Sequence, residues 1–335
     1  MVSKVTRYSK RLLEEMKATA RIARYTSLRK GCATFVAKLG IQYSIRNDYV
    51  ETDRLKKYLR IKHKVMMEYF RKTFHQFEST YDYKKAVREN DPGLKNRIWV
   101  CWWQGLDNAP DIVKQCVKSI HNNAPNYTVT VITDDNYREF ADIPAWIEEK
   151  YKKGIIPKAH FSDILRLFLL ADHGGMWLDA TTWCVSDEIE KYLQLPIWSV
   201  KRPGYGHLSV AAGNFANYAL ACDYDHRWVF AIIRDYVLYY WENNDSLIDY
   251  LFLDYIIVLI QERDRRVKKL FRDILPNNPN NDLLLVHLKD IYDEKLWEQL
   301  KRDTSIFKLT WKAEYPLQIK GEDTFYGRLL DGSLR

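Results

Sequence analysis

The sequence predicts an α/β fold with a largely parallel sheet, preceded by a segment of basic helices. From Arg97 onwards, short apolar runs alternate with helical patterns, a rhythm that is typical of such sheets. Residues 1–88 contain two glycines and no proline, which favours uninterrupted helices. An apolar content of 47% over 335 residues supplies the sizeable core that this fold requires.

The predicted N-terminal helices carry an excess of positive charge. Residues 1–88 hold 22 Lys and Arg against 8 Asp and Glu, whereas the remaining 247 residues hold 30 against 36. This asymmetry predicts contact with an anionic membrane surface. It does not indicate nucleic acid, because the larger part of the chain is acidic and contains no nucleic-acid-binding module. A solvated basic face, or an accessory helical domain packed on the rest, would give the same pattern.

A domain boundary is expected shortly before the first strand. The tetrapeptide Asn90-Asp91-Pro92-Gly93 is a strong turn signal. We therefore expect a helical segment over residues 1–90 and a main α/β domain over residues 91–335.

The first two predicted strands end next to residues that are suited to ligand binding. An unbroken apolar run from Arg97 to Trp103 predicts a buried strand, followed by Gln104 and Gly105. The run from Tyr127 to Thr133 predicts a second strand, followed by Asp134. In parallel sheets, ligands bind beyond the carboxyl ends of the strands, so these positions are candidates for a site. Asp134 could equally cap the helix that follows it.

The stretch from Pro157 to Val185 contains the strongest functional signal. Apolar residues at three-and-four spacing predict a helix, on which Asp163 and Arg166 lie one turn apart and share a face. The pair Gly174–Gly175 ends this helix, because glycine adopts left-handed backbone angles without steric penalty. A short apolar strand then leads to Asp179 at its end. An acid and a base on a helix, with a carboxylate at a strand end, indicate an active site.

Cysteine usage and hydropathy predict the compartment. The five cysteines are scattered and form no pair at metal-binding spacing, which is typical of a reduced cytoplasmic protein. No apolar run is long enough for a signal peptide or a membrane span. We therefore expect a cytoplasmic protein, held at the inner face of the membrane by its basic helices.

Two segments of the stretch from Pro157 to Val185 resemble a family signature. Ser162–Arg166 and Gly174–Asp179 are similar to the S-D-x-x-R … G-G-x-[YW]-x-D-x-D signature of DXD-type glycosyltransferases, and the capsular polysaccharide synthesis proteins look closest. Val100–Gly105 resembles the first strand of that family. The resemblance implies a GT-A fold, which is a Rossmann-like mixed sheet with flanking helices.

The resemblance also implies an activity. It is the transfer of a hexose, with retention of configuration, from a nucleotide-diphosphate sugar to a polysaccharide or lipid-linked oligosaccharide acceptor, with a UDP-sugar as the favoured donor. In the family, the Asp and Arg of the helix hold the sugar and the donor, and a tryptophan of the first strand stacks on the base. The expected catalytic residues are Asp163, Arg166, Asp179 and Asp254, and the expected donor contacts are Trp102, Gly105, Asp134, Gly174, Gly175, Lys308 and Lys312.

Several of these assignments have structural alternatives. Trp99 and Trp103 compete with Trp102 for the stacking position. Asp254 lies within an apolar helical pattern over Ser246–Glu262, so it is either half of a buried salt bridge or a carboxylate near the reaction centre. Lys308 and Lys312, which lie on either side of Trp311, are either diphosphate ligands or surface charges.

Two long helices are predicted in this part of the chain. One is the helix over Ser246–Glu262 that contains Asp254, and the other covers Tyr224–Trp241.

The motif departs from the family pattern at the predicted metal site. The resemblance implies Mn²⁺ or Mg²⁺ bound by Asp179 and by the residue two positions later, and that residue is Thr181. A threonine offers only a neutral oxygen in place of a carboxylate. Asp179 then binds the metal with water and a residue from elsewhere, or the metal is bound weakly, or it is dispensable. A non-catalytic sugar- or nucleotide-binding relative is the alternative function.

Overall fold

The protein has nine strands and fifteen α-helices in residues 4–46, 52–84 and 94–334, which are the residues that the computed structural model describes. The strands are β1 (Arg97–Cys101), β2 (Thr128–Ile132), β3 (Gly175–Asp179), β4 (Thr182–Cys184), β5 (Ile197–Ser199), β6 (Ala219–Cys222), β7 (Ile306–Lys308), β8 (Gln318–Ile319) and β9 (Glu322–Asp323). The helices are α1 (Lys4–Tyr25), α2 (Leu28–Arg46), α3 (Asp53–Thr73), α4 (His75–Thr80), α5 (Asp111–Asn123), α6 (Tyr137–Phe140), α7 (Ala145–Lys152), α8 (Lys158–Asp172), α9 (Glu188–Tyr192), α10 (Trp228–Glu242), α11 (Phe252–Arg263), α12 (Arg265–Asp273), α13 (Leu283–His287), α14 (Glu294–Lys301) and α15 (Phe325–Asp331).

Five strands form the central sheet in the order β2-β1-β3-β6-β5. Strand β1 is parallel to β2 and β3, whereas β6 is antiparallel to both β3 and β5. Helices α5 and α8 contact this sheet, so the expected mixed α/β sheet with flanking helices is confirmed. Strands β1, β2, β3 and β5 run in one direction and β6 runs in the other, because no helix crosses over between β5 and β6 and the chain returns in the opposite direction.

The register of the parallel strands aligns their carboxyl ends. Cys101 at the end of β1 is paired with Ile132 at the end of β2 and with Asp179 at the end of β3. The main-chain N–H of Trp102 continues the ladder and donates to the carbonyl of Ile132 at 2.9 Å. The residues that follow these strands therefore share one edge of the sheet.

Two glycines connect the central helix α8 to β3, as predicted. Gly174 and Gly175 have φ angles of 72° and 84°, in the left-handed region that favours glycine. A Cβ atom on Gly175 would lie 2.2 Å from the carbonyl oxygen of Arg97, so the close approach of β3 to β1 requires glycine there. The indole N–H of Trp99 donates to the Gly174 carbonyl at 2.9 Å.

Two predicted helices begin later than their apolar patterns suggest. Helix α10 begins at Trp228 and not at Tyr224, because the Asp223 carboxylate accepts the main-chain N–H of His226 and holds a turn. Helix α11 begins at Phe252, because the Asp249 carboxylate binds the N–H of Leu251 in the same way. As a result, Asp254 lies in the first turn of α11 and not in its middle.

The N-terminal helices pack on the α/β part of the protein. Helix α3 contacts α11, and its buried side chains, which include Met66, Tyr69 and Phe70, belong to the main hydrophobic core. The turn predicted at residues 90–93 lies outside the described residues, so the division into two domains stays a prediction. None of the helices in the described ranges has the length and apolar composition that crossing a bilayer requires.

Candidate active site

A cavity of about 630 Å³ opens at the carboxyl ends of β1 and β3. Its walls come from these strand ends, the first half of α8, the start of α11 and the segment after β7. Eight residues predicted from the sequence line it, and they are Trp102, Asp163, Arg166, Asp179, Thr181, Asp254, Lys308 and Lys312.

Arg166 connects two carboxylates at the base of the cavity. Its Nη1 lies 3.3 Å from Asp163 Oδ1, and its Nη2 lies 3.3 Å from Asp179 Oδ1. The guanidinium also donates to the main-chain carbonyl of Asn217, and its Cζ lies 4.7 Å from the centroid of the Trp177 ring. Only 4% of Arg166 is exposed, so its planar fork is fixed in one orientation. The predicted pairing of Asp163 with Arg166 on one helical face is present.

Asp179 is held as a carboxylate. Burial opposes its ionisation, but the Lys308 ammonium, the Arg166 guanidinium and the indole N–H of Trp177 outweigh burial and hold its pKa below the ordinary value. The Lys308 Nζ lies 3.3 Å from Asp179 Oδ2, and the Trp177 Nε1 lies 3.1 Å from Asp179 Oδ1. Asp179 is therefore a fixed negative charge between two cations.

Lys308 enters the cavity from a small second sheet. Strands β4 and β7 are antiparallel, and Thr182 is paired with Lys308. The main-chain N–H of Leu309 donates to the carbonyl of Thr181 at 2.9 Å, and Lys308 Nζ donates to Thr181 Oγ1 at 2.6 Å. The backbones that carry the threonine and the lysine are therefore fixed relative to each other.

Asp254 is held by hydrogen bonds and not by the buried salt bridge that was one of its two predicted roles. Its Oδ2 accepts from Ser209 Oγ at 2.6 Å, and its Oδ1 accepts from Asn217 Nδ2 at 2.9 Å. Burial, assisted by the nearby Asp163 charge, raises its pKa to about 6 despite these hydrogen bonds. Asn217 thus joins this carboxyl group to Arg166, which its main-chain carbonyl binds.

The three competing tryptophans have different environments. Trp99 is fully buried, and Trp103 donates its indole N–H to Ser162 and stacks on Phe161. Trp102 lines the cavity, packs edge-on against Trp311 at 5.6 Å, and its Nε1 has no hydrogen-bond partner among the described residues. Of the three side chains, Trp102 is the most available to a flat ligand.

Four predicted donor contacts lie outside the cavity wall. Gly105 closes the turn after β1, with φ of 75° and its N–H bound to the Trp102 carbonyl. Asp134 lies at the edge, 3.3 Å from Lys158 Nζ. Gly174 and Gly175 lie at the opposite end of β3 from Asp179, where they shape the backbone.

Four residues that the prediction did not include help to form the site. Lys158 and Tyr250 line the cavity, and Asn217 and Ser209 bind Asp254. Asn217 had a detectable signal, since it is polar within an apolar run. Lys158 is the first residue of α8, five residues before Asp163. Nothing in the local sequence marks Tyr250 or Ser209.

The side chains around Asp179 are a poor fit to the predicted divalent cation. Asp163, Asp179 and Asp254 face the cavity, but protein donors already bind all three: Arg166 binds both Asp163 and Asp179, Lys308 also binds Asp179, and Ser209 and Asn217 bind Asp254. Thr181 accepts the hydrogen bond of Lys308. Within the described ranges, no three His, Cys, Asp or Glu side chains form a group that could hold a metal ion. The Mn²⁺ or Mg²⁺ site at Asp179 and Thr181 stays a prediction.

Comparison with known proteins identifies the family. The family model described as "Capsular polysaccharide synthesis protein" matches residues 46–329. Because this match covers most of the chain, the protein belongs to the capsular polysaccharide synthesis protein family, and the match supports a role in capsule synthesis.

The other two comparisons give no further evidence about function. The search of curated proteins gave no match. Among solved structures, the chain is similar to the PaToxG glycosyltransferase, with 14% identity, a TM-score of 0.34, and coverage of 63% of this chain and 83% of that chain. A TM-score of this size is too low to support a functional conclusion.

Proposed function

We propose that the protein is a glycosyltransferase of capsule synthesis, which transfers a hexose from a nucleotide-diphosphate sugar to a polysaccharide or lipid-linked oligosaccharide. A UDP-sugar is the favoured donor, and retention of configuration follows the family resemblance. The observation that carries this proposal is one cavity in which the half-buried Trp102, an Asp–Arg pair, a strand-end carboxylate and lysines meet.

Each wall of the cavity suits one part of such a donor. Trp102 and Trp311 offer aromatic surface for the base. Asp163 can accept hydrogen bonds from sugar hydroxyls, and Arg166 fixes its orientation. Lys308 and Lys312 supply positive charge for the diphosphate. Because the leaving group departs with negative charge, preorganised cations lower the barrier for its release.

A donor panel tests the proposal. The purified full chain would be mixed with UDP-glucose, UDP-galactose, UDP-N-acetylglucosamine and GDP-mannose, and thermal stabilisation and slow donor hydrolysis would be measured for each. Stabilisation and hydrolysis by one donor, both lost in Asp163→Asn, are expected. Stabilisation without hydrolysis or transfer would instead identify a non-catalytic sugar- or nucleotide-binding relative.

We also propose that helix α2 places the protein on an anionic membrane surface at the inner face of the cytoplasmic membrane. The buried face of α2 contains Thr34 and Ala37. The opposite side of α2 carries an apolar stripe at helical spacing that is open to solvent. The exposed fraction is 73% for Leu28, 45% for Val36 and 52% for Leu39. The residues of this stripe are Leu28, Cys32, Val36, Leu39 and Tyr43.

The charge around the stripe favours anionic lipid as the partner. Residues 16–46 contain seven Lys and Arg and no Asp or Glu, and of these seven Lys30 and Lys38 pair with acids from outside the range. Apolar side chains that enter the interface, together with cations near anionic headgroups, bind membranes cooperatively, and each near-surface charge adds up to about 1 kcal/mol. A lipid-linked acceptor would be presented at this surface.

Point substitutions test the membrane proposal better than deletion of the helices, since α3 belongs to the core. The full chain would be sedimented with vesicles of phosphatidylcholine alone and of phosphatidylcholine with phosphatidylglycerol. Wild type is expected to bind the anionic vesicles, and Val36→Glu/Leu39→Glu is expected to lose this binding. Leu283→Glu, at another exposed leucine, is the matched control. Unchanged binding of the double variant, or a stripe that instead mediates dimers, would contradict the proposal.

A further inference from the structure

The ammonium group of Lys308 lies where the two predicted metal ligands converge. Its Nζ donates to Thr181 Oγ1 at 2.6 Å and lies 3.3 Å from Asp179 Oδ2. A cation that bridged these two side chains would bind the same oxygen atoms. The lysine therefore already binds the oxygen atoms that Asp179 and Thr181 would offer to the cation that the family resemblance implies.

The backbone fixes the lysine in this position. Lys308 is paired with Thr182 in the β4–β7 ladder, its N–H donates to the carbonyl of Asn281 at 2.7 Å, and the next residue binds the Thr181 carbonyl. Its ammonium lies 5.4 Å from the centroid of the Tyr218 ring, and its side chain is 26% exposed. The charge is thus held at the wall and remains accessible to a ligand in the cavity.

We infer that Lys308 replaces the divalent cation, so that the donor diphosphate is bound and released without a metal ion. This inference rests on the proposed function. Two observations carry it together, the position of the ammonium group and the poor set of metal ligands. Thr181 provides a neutral hydroxyl that already accepts from Lys308, and the carboxylate of Asp179 is paired with Lys308 and Arg166. Mn²⁺ and Mg²⁺ prefer several carboxylate oxygens clustered together, and Thr181 and Asp179 do not provide such a cluster.

The chemistry balances without a metal. The bond between the anomeric carbon and the β-phosphate oxygen breaks, and its electron pair stays on the diphosphate. The acceptor hydroxyl oxygen, or water in hydrolysis, forms the new bond to the anomeric carbon, and its proton leaves with the nucleoside diphosphate. Lys308 offsets the developing charge as a hydrogen-bond donor, with Arg166 behind Asp179 and Lys312 at the cavity wall.

The test compares the reaction with and without divalent metal. The full chain would be treated with EDTA and dialysed, its metal content measured, and the hydrolysis of UDP-glucose, UDP-galactose and GDP-mannose followed with and without Mn²⁺. Binding of Mn²⁺ alone would be measured by calorimetry. Wild type is expected to hydrolyse its donor at rates within about twofold in the two conditions and to show no Mn²⁺ binding, because the ammonium supplies the charge.

Variants at the same position sharpen the test. Lys308→Met is expected to lower the hydrolysis rate by about 10²–10³-fold, and Mn²⁺ is not expected to restore it. Lys308→Arg keeps a positive charge and is expected to retain EDTA-resistant hydrolysis. Thr181→Asp/Lys308→Ala adds the second carboxylate and removes the ammonium, so it is expected to bind Mn²⁺ and to depend on it. Lys153→Met, at an exposed lysine outside the cavity, is the matched control.

The failure of this inference differs from the failure of the proposed function. Hydrolysis that disappears in EDTA and returns with Mn²⁺ would overturn the inference and leave the proposed function intact. Mn²⁺ binding by wild type that requires Asp179 would also overturn it, and this readout does not depend on the folding of any Lys308 variant. Absence of binding and hydrolysis of every donor, with and without Mn²⁺, would overturn the proposed function itself.

Discussion

Lys62 Nζ lies 3.0 Å from Asp249 Oδ2, and the two side chains are only 2% and 3% exposed. Lys38 of α2 lies 3.5 Å from the same carboxylate oxygen. Asp249 is followed by Tyr250 and Leu251, which line the cavity. The basic N-terminal helices therefore hold one wall of the candidate active site, in addition to any membrane contact.

Loss of Lys62 is expected to destabilise the fold strongly. In Lys62→Met a buried carboxylate loses its nearest cation, which typically costs about 3–5 kcal/mol. Arg71→Met, which breaks an exposed pair with Glu262, is the control and is expected to cost less than about 1 kcal/mol. Urea unfolding measures both values. Similar losses in the two variants would show that burial of the Lys62 pair does not matter.

The same pair predicts a dependence of stability on pH. Burial opposes ionisation of Asp249, but Lys62 and Lys38 outweigh it and lower its pKa to about 2. A carboxyl group with a depressed pKa stabilises the fold fully above its unfolded value of about 3.9, and this contribution is lost as pH falls towards 2. The unfolding free energy should therefore fall less steeply between pH 5 and 2 in Asp249→Asn than in wild type. Parallel curves would contradict the assignment.

Replacement of Arg166 is expected to affect catalysis more than charge alone would. Arg166→Lys keeps the positive charge but cannot bind Asp163, Asp179 and the Asn217 carbonyl together. We expect a decrease of about 10–100-fold in kcat/KM for the donor, because the two carboxylates lose their common orientation. Steady-state hydrolysis measures the change. A variant with wild-type kcat/KM would show that the fork is dispensable.

Asp254 is expected to set the acidic limb of the activity profile. Because burial raises its pKa to about 6, the carboxylate forms only as pH rises through that value. If the ionised form faces the reaction centre, kcat/KM rises with an apparent pKa near 6, and the residual activity of Asp254→Asn lacks this limb. An unchanged acidic limb in the variant would assign it to another group.

Stability should move in the opposite direction. A carboxyl group with a raised pKa binds its proton more tightly in the folded protein, so the fold loses stability as pH rises from about 4 to 6. Asp254→Asn removes this loss, and denaturant titrations at pH 4 and pH 7 measure it. A wild-type loss that persists in the variant would show that a group other than Asp254 causes it.

Gly175 is expected to tolerate no side chain. In Gly175→Ala, the Cβ would lie 2.2 Å from the Arg97 carbonyl oxygen, so β3 and β1 must separate. We expect a cost of more than about 2 kcal/mol, from this clash and from the positive φ. Gly154→Ala is the control, because Gly154 also has a positive φ but has nothing within 4 Å of its Cβ position. Equal costs in thermal or urea unfolding would mean that φ alone is responsible.

Short-range patterns predicted helix α8 and strand β3 well. The spacing of Asp163 and Arg166, the paired glycines and the strand that ends at Asp179 all depend on neighbours within a few residues. These residues line one cavity together with Trp102 and Lys308.

Contacts between residues that are far apart in the chain could not be predicted from the sequence. Lys62 and Asp249 are 187 residues apart, and their pairing is decided by how α3 packs on α11. The sequence suggested a salt bridge at Asp254, but Asp249 has it, because Asp249 begins the turn that faces the N-terminal helices. The Thr181–Lys308 contact likewise depends on the β4–β7 pairing, which no local pattern indicates.

The release of nucleoside diphosphate from the preferred donor tests the central claim most directly. Single-turnover reactions would compare wild type, Asp163→Asn in the cavity and Asp225→Asn at an exposed site outside it. A site that binds the sugar of a nucleotide-diphosphate donor predicts release by wild type and Asp225→Asn, and a decrease of at least about 100-fold in Asp163→Asn. Equal release by all three proteins, or release by none with any donor, would contradict a glycosyltransferase site in this cavity.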